Sequence, residues 1–327
     1  MSEFHCVVVK IENVEKHPNA DSLSIFNVHG GYPCIFRTTD FNEGDLAAYI
    51  PVDAIVNLKD SRFAFLSDRV DKEFQRIKAK RLRGIFSMGL LIKADPSWEL
   101  GQNVQEILGI TKYEPEAEME RTGGMTVVGP QIPVYDLESV RKYKNLISEN
   151  EEIVITEKLH GANCRFMYDS VGEFWLGSHR TFKKPGSENL WCKVADKYNL
   201  KEKLSKYPDL AFYGEVHGSG VQKGFTYGAQ NGELLFRVFD IWNNQKKCWL
   251  DYASLVKITS ELDLLRVPVL YQGPWSNNLL NLAEGQSTLG AHIREGCVIQ
   301  AVTEQWDEKA GRKKLKLIGQ GYHLLKE

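Results

Sequence analysis

Residues Val154–Phe166 read VITEKLHGANCRF. An apolar, largely β-branched run leads into Lys158, and Gly161 follows three positions later. A strand that ends in a solvated ammonium is ordinary. A strand that delivers an amine into a site is chemistry. An unperturbed lysine is protonated at neutral pH and cannot attack, so a nucleophilic role requires desolvation or nearby cations that depress its pKa. Gly161 permits a tight turn and the close backbone approach of a ligand. By itself K-x-x-G recurs by chance, so its meaning depends on what surrounds it.

Downstream lies a series of strands that carry polar residues. FWLGSHRTFKK (Phe174–Lys184) reads as a strand ending in Arg180, and LAFYGEVHGSGVQKGFTYG (Leu210–Gly228) as a strand delivering Glu215 into a glycine-rich loop with Lys223. LLFRVFDIW (Leu234–Trp242) holds Phe239 and Asp240, REGCVIQA (Arg294–Ala301) sets Glu295 before a strand, and RKKLKLIG (Arg312–Gly319) spaces Lys314 and Lys316 two apart. In a strand that spacing points both ammoniums to one face. Singly, Arg180, Glu215 and Glu295 read as surface or strand-end ion pairs, and Phe239 as core. Asp240 reads as structural, satisfying backbone donors, and Lys223 is open between phosphate contact and solvation. Together the residues are an amine, carboxylates for ribose or metal, cations for phosphate and an aromatic for a base.

The bulk properties set limits on this reading. At 327 residues the chain can hold two domains, and 43% apolar with 26% charged residues describes a globular protein. A net charge of −2 removes any global basic field, so nucleic-acid contact has to come from local patches. The six cysteines form no C-x-x-C pair, which argues against a zinc ribbon or a disulfide framework. The N-terminus does not read as a secretory signal, and no apolar run approaches the roughly 18 residues needed to cross a bilayer. The expectation is an intracellular protein with no membrane partner, acting as a monomer.

Along the chain, residues 1–110 read as short strands separated by turns such as HPNADS (His17–Ser22), which suggests a small barrel with an OB-fold as one candidate. Residues 111–132, with their prolines, Gly-Gly pair and acidic cluster, read as a linker. Asp136 is a plausible N-cap for a helix over 136–147, with Leu137, Val140, Tyr143, Lys144 and Ile147 on one face. Residues 133–327 read as an α+β domain. In the barrel, RIKAKRLRG (Arg76–Gly84) would place Arg76, Lys78 and Lys80 on one strand face, with Arg81 and Arg83 beyond, a basic stripe suited to a phosphate backbone.

The order K-x-x-G, Arg, Y-G-E, V-F-D-I, E-G-x-V, K-x-K resembles the covalent nucleotidyltransferases, the superfamily of ATP-dependent ligases and mRNA capping enzymes. DNA ligases and capping enzymes place an OB domain after K-x-K, whereas only eleven residues follow Lys316 and the barrel comes first. With HPNAD, KRLRGIFSMGLL and KYEP, that arrangement is similar to the Deinococcus-type nick-sealing RNA ligases. The resemblance implies an α+β nucleotidyltransferase (ATP-grasp-like ligase) domain preceded by an all-β OB-fold barrel. It further implies ATP, Mg²⁺ or Mn²⁺, and an RNA partner in the form of a nicked RNA duplex or RNA/DNA hybrid with RNA on the 3′-hydroxyl side.

By the same resemblance Lys158 is the nucleophile that forms lysyl-AMP. Glu157 reads the adenine edge, Asn163 lies near the α-phosphate, Arg180 and Glu215 contact ribose, and Phe239 stacks on adenine. Glu295 holds the metal through water, while Lys314 and Lys316 contact phosphate and help keep Lys158 neutral. His160 stands where DNA ligases carry Asp, and its role stays open. The rival readings are a DNA ligase, a capping-type guanylyltransferase and a non-catalytic RNA-binding protein, the last because HPNADSL resembles tRNA-binding OB modules.

Overall fold

A computed structural model of the protein describes residues 4–67, 72–113, 126–186 and 188–325. The chain divides into two compact units, residues 2–114 with 323–327, and residues 115–322.

The first unit is built on strand Leu46–Ile50, which pairs antiparallel with Val7–Lys10 on one edge and Leu90–Lys93 on the other. Val8, Ala48 and Ile92 pack into one core, and Val9, Ala47, Tyr49 and Leu91 into a second on the opposite face. A strand buried on both sides needs apolar residues at every position rather than alternation, which is why LAAYI is continuous. Further short sheets complete the unit: Glu15–Lys16, Leu23–Val28 and Tyr32–Arg37 form one, and Thr111–Lys112, Ala54–Asn57 and Phe74–Arg76 another.

In the second unit, two mostly antiparallel sheets carry Glu157, Lys158, Asn163, Glu215, Phe239, Asp240, Lys314 and Lys316. The larger runs Thr126–Val127, Phe182–Lys183, Phe174–Ser178, Ala162–Tyr168, Leu210–Gly218, Leu234–Asn243, Cys248–Trp249. Helices Leu190–Lys197, Leu200–Leu204 and Tyr252–Glu261 supply buried residues to the core on one of its faces, packing with Phe166, Phe212, Val216, Phe236, Val238 and Ile241. The Asn189 side chain caps the first of these helices by accepting from the Cys192 N–H at 2.9 Å. The smaller sheet runs Glu138–Ser139, Lys314–Ile318, Gly296–Ala301, Glu152–Lys158, Val269–Pro274. Leu159, His160 and Gly161 cross from its strand Glu152–Lys158 to Ala162–Tyr168 of the larger sheet. Lys158 therefore ends a strand because the chain changes sheets there.

Strand Leu234–Asn243 contains a β-bulge. Tyr213 pairs with Asp240 and Gly214 with Val238, so Phe239 is the extra residue. Regular alternation would turn Phe239 and Asp240 to opposite faces. The bulge instead lets both face away from the helices, with Phe239 against Tyr135, Leu159 and Tyr227.

One expectation needs correction. No helix forms over 136–147: Glu138–Ser139 adds a parallel strand beside Leu315 and Lys316, and turns come after it. The apolar residues still serve a core, since Val140, Tyr143, Leu146 and Ile147 pack on Ile153, Ile155 and Leu317. A segment this short has little intrinsic helicity to set against strand pairing. The described ends of the expected linker are also paired, Thr111–Lys112 to Ala54–Ile55 and Thr126–Val127 to Phe182–Lys183, while residues 114–125 lie outside the described residues.

Candidate active site

Register alone assembles the site. Lys158 pairs with Gly296, Thr156 with Val298, and Val298 with Lys316, so Lys158, Lys316 and Lys314 share one face of the smaller sheet. In the larger sheet Asn163 pairs with Glu215, and Glu215 with Arg237. The sheet crossing at Leu159–Gly161 joins these two sets.

Lys158 Nζ donates to Glu295 Oε2 at 2.7 Å. Burial works against the ammonium, but the carboxylates of Glu295 and Glu215 outweigh it and carry Lys158 above the ordinary lysine range. The sequence-based expectation that the K-x-K lysines keep this amine neutral is therefore corrected: in this state carboxylates dominate its surroundings and it is an ammonium.

The turn after Lys158 is closed from three directions. Gly161 N donates to Glu215 Oε1 at 2.9 Å, Gln222 Nε2 donates to Gly161 O at 2.9 Å, and His160 N donates to the Tyr227 hydroxyl at 2.5 Å. A Cβ on Gly161 would lie 2.2 Å from Val216 O, so the residue is glycine for lack of space. Gly296 is equally constrained, with Leu317 O 2.0 Å from where its Cβ would be. The His160 ring packs edge-on against Phe225 and Tyr322, at 4.9 and 5.4 Å between centroids.

Glu157 is 1% exposed. Its Oε2 accepts from Thr288 N at 2.9 Å and Thr288 Oγ1 at 2.6 Å, while Oε1 is buried with no hydrogen-bond partner among the described residues. Asn163 Oδ1 and both ring nitrogens of His217 are likewise buried and unbonded. Burial, then the charge of Arg237, draws the His217 pKa down to about 4, so the ring is neutral. The His217 and Tyr227 rings lie 5.0 Å apart. Buried polar atoms without partners are uncommon and ask for an explanation. Here they gather about the strand ends that flank Lys158, the arrangement of a site shaped for a polar ligand.

Arg180 lies two residues beyond strand Phe174–Ser178 and is exposed. Phe239 is half-buried, its ring 4.6 Å from that of Tyr135. Lys316 Nζ lies 3.4 Å from Asp136 Oδ1. Lys314 departs from expectation: it is 4% exposed, and its Nζ donates to Asp240 Oδ2 at 2.7 Å and Phe239 O at 3.2 Å. The same carboxylate accepts from Arg312 NH1 and the Tyr135 hydroxyl, each at 2.9 Å, while Oδ1 takes the Ile241 N–H at 3.1 Å. Burial opposes ionisation of Asp240, but Arg312 and Lys314 prevail and hold its carboxyl below the ordinary range. Asp240 takes one backbone donor, but its other partners are side chains, and Lys314 is one of them. Lys223 is exposed in its loop.

On the barrel unit the basic stripe is not one strand. Phe74–Arg76 and Lys80–Leu82 are separate, and the second forms a hairpin with Ile85–Ser87. Arg83 and Gly84, with φ of 46° and 88°, make its two-residue turn. Ile77 and Ala79 are buried as the alternation required, with Lys78 half-buried between them and Lys80, Arg81 and Arg83 exposed. Arg76 is taken up by Asp53, donating from Nε at 2.9 Å, and lies 3.9 Å over the Tyr113 ring. His17 of the HPNAD turn fixes the hairpin. Its Nδ1 accepts from Asn19 N at 3.1 Å, which leaves Nε2 as the donor to Leu82 O at 3.1 Å.

Thr288, Tyr227, Gln222 and His217 were not anticipated. Gln222 stands in the quoted G-S-G-V-Q-K run, but Thr288 sits in a polar loop with no spacing to mark it.

Among the described residues no group of three or more His, Cys, Asp or Glu side chains could hold a metal, and no helix is long and apolar enough to cross a membrane. No curated protein sequence matches the chain. The OB-fold domain family matches residues 6–94, and the RNA ligase family matches residues 151–318. Solved structures of the Naegleria gruberi RNA ligase are similar over almost the whole chain. A lysine-to-alanine variant with ATP and manganese superposes with a TM-score of 0.83 at 22% identity, covering 98% of each chain. An arginine-to-alanine variant with ATP and manganese gives 0.85 at 22%, and the enzyme with pyrophosphate 0.83 at 22%, each covering 99% of both chains. At such identity the likeness establishes the fold, a nucleotidyltransferase-type ligase domain preceded by an OB-fold. With its catalytic half matched from Glu151 to Ile318, the chain belongs to the RNA ligase family.

Proposed function

We propose that this protein is an ATP-dependent RNA ligase that joins 3′-hydroxyl and 5′-phosphate ends through a lysyl-AMP on Lys158. The observation that carries the reading is the Lys158–Glu295 pair at 2.7 Å, an amine at a strand end against a carboxylate. In the first step the Lys158 ammonium gives up a proton to Glu295 Oε2, and the freed amine attacks the α-phosphorus of ATP. The N–P bond forms, the bond to the β-phosphate oxygen breaks, and pyrophosphate leaves. AMP then passes to the 5′-phosphate of an RNA end, and the 3′-hydroxyl displaces it. The Naegleria gruberi ligase has been solved with ATP and manganese, with AMP and manganese, and with pyrophosphate, a set that fits this sequence of events.

A divalent metal fits Glu295 as a single carboxylate acting through water and nucleotide phosphates, the way Mg²⁺ is ordinarily held, and not a cage of protein ligands. Bound there, it supplies positive charge at the phosphates and against the Lys158 ammonium. Glu157 Oε1, an acceptor with no protein donor among the described residues, suits the exocyclic amine of adenine. Glu215 suits ribose, Lys316 the phosphate, and Phe239 the face of the base. The exposed cations Lys80, Arg81 and Arg83 suit an RNA backbone, and the proposed substrate is a nicked duplex with RNA on the 3′-hydroxyl side.

The test is incubation with α-labelled ATP and Mg²⁺, then denaturation. Acid-labile label on the polypeptide, absent in Lys158→Met, is the expected outcome. Label from GTP instead would indicate capping chemistry. No label from either, in protein first stripped of AMP by pyrophosphate, would replace this reading with a binding module. Nicked substrates with ribose or deoxyribose at the 3′-hydroxyl then test the choice of strand.

A further inference from the structure

Within that reading, and resting on it, we propose that Thr288 is a positioning residue for nucleotide choice, holding Glu157 so that one carboxylate oxygen is left for the 6-amino group of the purine. Both bonds from Thr288, backbone N–H at 2.9 Å and Oγ1–H at 2.6 Å, converge on Oε2. Neither reaches Oε1, which stays buried and unbonded. A carboxylate accepts and does not donate. With one oxygen saturated by two donors, the other is a fixed acceptor, complementary to an amine and repelled by a carbonyl oxygen at the same place.

Thr288 is itself held fast. Ser287 N donates to His292 O at 2.8 Å, and Leu289 N to the Ser287 hydroxyl at 3.1 Å. Arg294, beside Glu295 in sequence, donates from Nε and NH2 to Gln286 O at 3.0 and 2.7 Å, and from NH1 to Leu282 O at 3.0 Å. The loop is thereby tied at both ends. The backbone of Glu157 is anchored as well, its N–H donating to Pro268 O at 2.8 Å. Rigid supports on both sides of a hydrogen bond are what convert it from stability into selectivity.

The experiment measures lysyl-nucleotide formation from ATP and from purine riboside triphosphate, which lacks the 6-amino group, in wild type, Thr288→Val and Thr288→Ser. Loss of one hydroxyl bond to a charged acceptor is expected to lower kcat/KM for ATP about tenfold, mainly through KM, and to leave the analogue nearly unchanged. The advantage of ATP over the analogue shrinks accordingly, and Thr288→Ser restores it. Equal losses on both nucleotides, or no loss, overturn the proposal. Should Thr288→Val fail to fold, Thr288→Ala read against Thr288→Ser makes the same comparison. Absence of label from ATP in the wild type would instead overturn the ligase reading, so the two failures are distinct.

Discussion

Lys158 is held as an ammonium by the group that the proposed chemistry has to overcome. With Glu295 and Glu215 raising its pKa, the amine stays charged at neutral pH. The pair stabilises the fold fully below the unfolded lysine value of about 10.4 and ceases to do so as pH rises through the still higher folded value. Glu295→Gln is expected to lower the Lys158 pKa, measured by pH-dependent acylation of that lysine or by NMR of its labelled side chain. An unchanged value would mean that Glu295 does not set it. Asp240 has the opposite sign. Its depressed pKa gives stability above the unfolded value of about 3.9, lost as pH falls through the folded one. Asp240→Asn leaves the buried Lys314 without its carboxylate, while Arg312 keeps Glu304, and is expected to cost about 3 kcal/mol in denaturant unfolding. That Lys158, Glu215 and Glu295 come together was legible in the sequence because successive strands carry them in the order that the resemblance implies. The contact of Thr288 with Glu157 was not, because it depends on a loop folding back across a large sequence separation.

At the scale of elements, the crossing from one sheet to the other is the tightest feature of the site. Gly161→Ala would press a methyl into Val216 O and the Glu215 side chain. Overpacking of this kind costs about 1–3 kcal/mol, and because it displaces the nucleophile turn it should also reduce lysyl-AMP formation. Thermal unfolding and labelling measure the two effects. A variant of wild-type stability and labelling would show that the turn is loose. Strands were readable wherever a β-branched or aromatic run met a turn residue. The segment 136–147 misled because its apolar spacing serves a core equally well from a short strand and a turn, and pairing with Leu315 and Lys316 decided between them. The stripe Arg76–Lys80 showed correct alternation in burial while its strand broke, since burial follows the core and hydrogen bonding follows the neighbours.

For the molecule as a whole, the proposed reaction divides into making lysyl-AMP and using it on RNA. Lys80→Glu with Arg81→Glu on the barrel hairpin is expected to leave labelling by ATP intact while weakening RNA binding. The salt slope of binding should fall by about one for each phosphate no longer neutralised. An unaltered slope would show that the hairpin does not touch the backbone. His17→Ala, which frees the hairpin from its anchor without changing a cation, should weaken RNA binding less. The two-unit organisation could be read from the change in strand pattern and the Gly-Pro-acidic stretch between, but the pairing of that stretch at both described ends could not, since two-residue strands carry no periodicity.

The bulge at Phe239 makes strand length, and not only composition, a constraint on this enzyme. Other aromatics at position 239 preserve its form, as do other aliphatics at Val238. Deleting Val238 would restore a regular pleat, sending the Phe239 ring and the Asp240 carboxylate to opposite sides of the sheet and separating the proposed base platform from the anchor of Lys314. Conservative substitutions at 238 and 239 and deletion of Val238 should therefore give opposite pictures, tolerance in one and collapse of nucleotide transfer in the other.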